Sequence, residues 1–147
     1  MKKLLNEFIS KNEEQTYEFA KELALKIEVP TVINLVGDLG AGKTTFTKGF
    51  LKALGVKENV TSPTFTLLNE YQTGYPIYHF DMYRIEDPNE TEQLGFDEYF
   101  DLNFLNGITL VEWASNTPHL LPSKYLQITI EKITDNQRKF VIELIQN

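Results

Sequence analysis

The chain predicts an α/β domain of three layers with a mixed central sheet, and three observations carry that prediction. An amphipathic helix pattern leads into a short β-branched run at Thr31–Val36. A glycine-rich turn and a second helix pattern follow that run directly. Later in the chain, two pairs of short apolar or alternating segments read as β-hairpins. The β–loop–α order calls for helices laid on a sheet, whereas the hairpins require antiparallel neighbours, so an all-parallel sheet is not expected. At 147 residues the chain fits one domain spanning residues 1–147.

The elements follow in order. From Asn12 to Glu28, apolar side chains at Tyr17, Ala20, Leu23, Ala24 and Ile27 mark one face of a helix, with Ser10 and Glu13 as a candidate capping box and Pro30 as the stop. Thr31–Val36 reads as a buried strand. A helix runs from about Lys43 to Leu54, where Gly55 suits the residue after a helix C-terminus. The Ser-Pro pair makes 61–66 a loop. Phe65–Tyr71 and Pro76–Met82 pair as a hairpin around Gly74. The stretch 86–101 carries seven carboxylates and no base, and reads as short helices around Gly95. Ile108–Val111 is a second buried strand. Leu126, Ile128 and Ile130, then Phe140, Ile142 and Leu144 beyond the turn 134–137, form a C-terminal hairpin with one face in the core.

Composition removes several function classes. Hydrophobic residues make up 41% and charged residues 24%, a balance that supports a packed core. The net charge of -7 argues against a direct grip on RNA or DNA, which rests on Lys and Arg releasing counterions. Cysteine is absent, which excludes disulfides, thiolate catalysis and Cys-ligated zinc. With only His79 and His119 as histidines, a His-rich metal site is not expected. No secretory signal core or membrane-spanning run stands out, so a cytoplasmic protein is expected.

The chemistry is concentrated at Gly37–Thr44, which reads GDLGAGKT and matches the phosphate-binding P-loop pattern in full. Glycines at 37, 40 and 42 let the backbone close on phosphate, and successive N–H groups at a helix N-terminus form an anion nest. Lys43 is the counter-charge for the β and γ phosphates, and the Thr44 hydroxyl is a ligand for Mg²⁺. The preceding strand and following helix are the context this motif requires, so the expected fold is P-loop NTPase-like. Such a site also needs a carboxylate on a neighbouring strand for the metal. Glu112 closes Ile108–Val111, and Asp81 closes Tyr78–Phe80; each is either a metal-shell or catalytic carboxylate or a solvated strand end. Thr61, Ser62, Thr64 and Thr66 supply hydroxyls for a loop that senses the γ-phosphate, or for local turn bonds. His79 alternates with Tyr78 and Phe80 and reads as sheet packing. Trp113 reads as core or interface. Arg84 suits a surface ion pair, a phosphate or a partner.

Absent motifs narrow the class. No guanine-reading Asn-Lys-x-Asp and no LSGGQ-like transporter signature occur, and two arginines in total fit poorly with a kinase lid. The remaining options are a small ATPase with few catalytic parts of its own, a small-molecule kinase, or a nucleotide-binding adaptor.

Five blocks in order then resemble the bacterial TsaE (YjeE) family: GDLGAGKTT at Gly37–Thr45, TSPTF at Thr61–Phe65, YHFDMYR at Tyr78–Arg84, QLGFDEYF at Gln93–Phe100 and LVEW at Leu110–Trp113. Met82 stands where Leu is common in the family, a volume-conserving exchange. The resemblance implies an ATPase that works with TsaD and TsaB in threonylcarbamoyl modification of the tRNA adenosine beside the anticodon. TsaD would transfer the group, and ATP hydrolysis, slow in the lone protein, would reset the complex. It further implies that Leu39, Gly40, Ala41, Gly42, Lys43, Thr44 and Thr45 hold the phosphates. Thr44 and Glu112 would bind Mg²⁺, Asp81 would support hydrolysis, and Thr61, Ser62 and Thr64 would belong to a switch-like loop. The family's adenine pocket involves the segment around the first helix, where no sharp motif occurs.

Overall fold

The structure is a computed structural model describing residues Met1–Asn147. Seven strands form one mixed sheet: β1 (Lys2–Ser10), β2 (Thr31–Val36), β3 (Leu68–Gln72), β4 (Pro76–Asp81), β5 (Ile108–Glu112), β6 (Lys124–Lys132) and β7 (Arg138–Gln146), in the order β1-β7-β6-β2-β5-β4-β3. The four inner strands β6, β2, β5 and β4 run parallel, and both margins are closed by antiparallel hairpin partners. Burial explains the division. β5 is buried at every position, as expected of a parallel strand covered on both faces. The outermost strand β1 is exposed along most of its length.

Helices α1 (Glu13–Ala24) and α2 (Lys43–Ala53) cover one face. There Phe19, Phe46, Phe50 and Phe140 pack with Ile33, Leu35, Leu110 and Ile128 into the larger core. The short α3 (Glu90–Gln93) and 3-10 turns at Phe96–Phe100, Ala114–Asn116 and Pro118–Leu120 cover the other face, around Phe80, Met82, Phe96, Phe100 and Val111. The result is the expected three-layer arrangement with two hairpins.

Three local expectations change. The cap of α1 is Asn12, whose side chain accepts from the Gln15 N–H at 2.8 Å, while Gln15 reaches back to the Lys11 N–H at 2.8 Å. Ser10 is instead the last residue of β1, with its hydroxyl on Thr16. α1 also ends at Ala24, short of Glu28. β3 begins at Leu68 rather than Phe65, because residues 64–67 turn back: the Leu67 N–H bonds the Pro63 carbonyl at 2.7 Å, with Leu67 at φ 69°. β1 itself was not expected, since its apolar residues alternate too weakly to mark a face.

Candidate functional site

Parallel strands β2, β5 and β4 end side by side, and their C-terminal edge is where an α/β sheet places its ligands. The chain leaves β2 at Val36 and turns through the glycine-rich loop into α2. Gly42, the residue before α2, sits at φ 105°, a left-handed conformation open to glycine and strained for other residues. A cavity of about 330 Å³ lies over this edge. It gathers Leu39, Gly40, Gly42, Lys43, Thr44 and Thr45 of the loop with Ser62, Thr64, Asp81 and Glu112. The loop, both strand-end carboxylates and the hydroxyl loop are thus brought together. Ala41 has its side chain buried in the core, and Gly37, at the start of the loop, does not line the cavity. Thr61 points aside too, its carbonyl and hydroxyl facing the Asn69 amide.

Sheet register sets the two carboxylates. Asp81 of β4 lies opposite Glu112 of β5, and both are buried. The two carboxylates have separate partners. Glu112 has Lys43, with Nζ 3.7 Å from Oε1, and His79, with Nε2 2.6 Å from Oε2. Asp81 has no cation. Its Oδ2 accepts the Thr64 hydroxyl at 2.7 Å and its Oδ1 accepts the Tyr83 N–H at 2.9 Å. Because the Thr64 proton is used on Asp81, the Ser62 hydroxyl donates to Thr64 at 2.7 Å. Ser62, Thr64 and Asp81 therefore form a directed chain that fastens the hydroxyl loop to the end of β4.

Lys43 is 7% exposed, and its ammonium also stands 4.4 Å from the centroid of the Trp113 ring, a cation–π contact. Trp113 itself stacks at a tilt on Tyr83, so the single tryptophan lies in the wall of the site. The neighbouring Tyr78 points to the other face of β4, where its pKa is pushed up chiefly by burial, with Glu70 and Tyr99 adding.

Besides Trp113 and Tyr83, three groups join the site beyond those marked in the sequence. His79 is packed in the sheet as its alternation implies, yet its ring also touches Glu112. Glu13, at the start of α1, lines the cavity. Arg138, from β7, donates Nε to the Ala41 carbonyl at 2.8 Å and lines the same cavity. Its other N–H groups reach the carbonyls of Thr134, Asp135, Gln137 and Gly40. The C-terminal hairpin thus braces the phosphate loop from outside. Truncating Arg138 to alanine leaves the carbonyl of buried Ala41 without this donor, at a cost of about 2 kcal/mol. A melting temperature lower by roughly 4–8 °C is the expected readout. Arg84 makes no ion pair. Its guanidinium lies 4.2 Å over the ring of Phe65.

No group of three or more His, Cys, Asp or Glu side chains is arranged to hold a metal alone. The donor set present, the Thr44 hydroxyl and the Glu112 carboxylate beside the glycine-rich loop, has the chemistry that suits Mg²⁺, which is commonly held by one or two carboxylates together with substrate phosphates. No helix is long and apolar enough to cross a membrane.

Comparison with known proteins gives this geometry a family. The family model described as "Threonylcarbamoyl adenosine biosynthesis protein TsaE" matches residues 10–140. The tRNA threonylcarbamoyladenosine biosynthesis protein TsaE of Bacillus subtilis (strain 168) is 47% identical over 137 residues, covering 92% of this chain and 84% of the relative. That of Haemophilus influenzae is 43% identical over 124 residues, 84% of this chain and 75% of the relative. Among solved structures, the crystal structure of YdiB from Bacillus subtilis superposes with a TM-score of 0.82 at 40% identity, covering 100% of this chain and 89% of the other. The protein belongs to the TsaE family, whose members bear the name of tRNA threonylcarbamoyladenosine biosynthesis.

Proposed function

We propose that this protein is a Mg²⁺-dependent ATPase that acts, together with TsaD and TsaB type proteins, in threonylcarbamoyladenosine modification of tRNA. The observation that carries the reading is the placement of Lys43 and Glu112 in one cavity with the phosphate loop and Thr44. In this reading the loop amides and Lys43 bind the triphosphate, and Thr44 and Glu112 hold the metal. Bound Mg²⁺ supplies charge neutralisation on the phosphate oxygens. Lys43 exchanges its Glu112 and Trp113 contacts for phosphate, which frees Glu112 Oε1. Asp81 orients water once the Thr64 hydroxyl lets go of Oδ2, so the loop state and hydrolysis are linked.

The kinase alternative loses support from the arginines. Arg138 spends its N–H groups on backbone carbonyls, and Arg84 lies over the exposed ring of Phe65, outside the cavity lining, so neither is poised for an acceptor substrate. A partner is the natural source of a further cation, and arginine fingers supplied in trans raise phosphoryl-transfer rates by about 10³–10⁵. The net charge of -7 suits a protein partner with a basic face better than RNA itself.

The test is ATP turnover with and without TsaB and TsaD, alongside GTP. Acceleration by the partners with preference for ATP is expected. Phosphate passing to a metabolite, or no acceleration, would overturn the assignment. Asp81→Asn is expected to lower turnover by about 10²-fold while changing ATP affinity little, as for loss of a group acting mainly in the transition state. Loss of binding with unchanged turnover per bound ATP would remove Asp81 from hydrolysis.

A further inference from the structure

His79 is a buried polar side chain that the proposed reaction does not use directly, and its surroundings are unusual. The ring is 2% exposed. Nε2 lies 2.6 Å from Glu112 Oε2, and Nδ1 is buried with no hydrogen-bond partner. A carboxylate oxygen and a ring nitrogen at this distance must have a proton between them, since two facing lone pairs repel. Nε2 therefore makes the ring's one hydrogen bond, to Glu112, and Nδ1 makes none.

The sheet holds this arrangement rigidly. His79 is opposite Leu110 in the β4–β5 register, and Glu112 follows two residues along the same face. Both residues belong to strands, so neither backbone can swing. With Oε2 tied to His79, rotation of the Glu112 carboxylate is blocked. Oε1 is the oxygen left facing Lys43, on the cavity side.

We infer that His79 is a positioning residue for Glu112, fixing one carboxylate oxygen so that the other is presented singly to the cation. The inference rests on the reading of Glu112 as a Mg²⁺ residue. Groups that hydrogen-bond a metal-binding side chain from behind are worth about 10–100-fold in metal affinity or activity.

The experiment measures the Mg²⁺ concentration needed for binding of a non-hydrolysable ATP analogue to the full chain, read by Trp113 fluorescence, and the analogue affinity without Mg²⁺. His79→Asn keeps a buried polar group but is too short to reach Glu112. His79→Gln places an N–H donor near the position of Nε2. His79→Asn should raise the Mg²⁺ requirement about 10–100-fold, leave Mg²⁺-free affinity unchanged, and be rescued by His79→Gln. In a Glu112→Gln background, His79→Asn should add nothing.

The outcomes separate the two ideas. If Glu112→Gln alone leaves the Mg²⁺ requirement unchanged, the reading of Glu112 fails and takes the inference with it. If Glu112→Gln raises the requirement and His79→Asn does not, the inference alone is overturned. Failure of His79→Gln to rescue would assign the effect to ring packing and would equally overturn it.

Discussion

Replacing Lys43 with alanine is expected to weaken ATP binding by roughly 100-fold, a loss of about 3 kcal/mol. The size follows from burial. Lys43 is 7% exposed and meets Glu112 at 3.7 Å, so its charge acts in a site with little water to screen it. A triphosphate brings several negative charges to a cavity that already holds Asp81 and Glu112, and Lys43 is the cation directed into it. The variant also strips Glu112 of its counter-charge, leaving His79 as its one side-chain partner. Some stability should therefore be lost along with affinity. Calorimetric titration with ATP and Mg²⁺ measures the first effect, and a thermal melt without nucleotide measures the second. Calorimetry is preferable to fluorescence here, because Lys43 lies over the Trp113 ring and its removal alters the signal by itself. Wild-type affinity in Lys43→Ala would remove the residue from phosphate binding.

How legible these parts are in the sequence depends on whether their cause is local. The phosphate loop is local: its amides, glycines and lysine lie within one turn and carry their own chemistry. Glu112 and Asp81 are nearly so, because each ends a short strand whose apolar character can be read. The supporting contacts are not. His79 meets Glu112 across 33 positions, and Arg138 meets Ala41 across 97. Each depends on a strand order that periodicity does not contain. His79 shows the difficulty well, since a histidine alternating with Tyr78 and Phe80 has the pattern of packing whether or not its nitrogen has a partner. β1 escapes for a related reason. Leu4, Leu5 and Ile9 are 56%, 48% and 52% exposed, so the strand offers no clean buried face. It is held by its antiparallel partner β7 and by Phe8, stacked on Phe19.

Gly107→Ala is expected to be the most damaging small substitution in the fold, at about 3 kcal/mol. The reason is close approach. A Cβ at Gly107 would fall far inside contact distance of the backbone carbonyl oxygen of Pro76, and neither backbone is free to yield. Gly107 immediately precedes β5, its carbonyl accepts the Thr31 N–H of β2 at 3.2 Å, and Pro76 begins β4. Three strands are therefore gathered at this point. A loss of this size should lower the melting temperature by roughly 6–12 °C. The functional consequence runs along the strands: the same β4–β5 pairing that starts at Ile77 and Ile108 ends by setting Asp81 beside Glu112. Pushing β4 and β5 apart at their beginnings should loosen that juxtaposition and raise the Mg²⁺ requirement. Metal-free nucleotide affinity should change less, because the phosphate loop is carried by β2 and α2. A melt indistinguishable from wild type would mean that the strands can separate here without cost, and that the alignment of the two carboxylates is secured elsewhere.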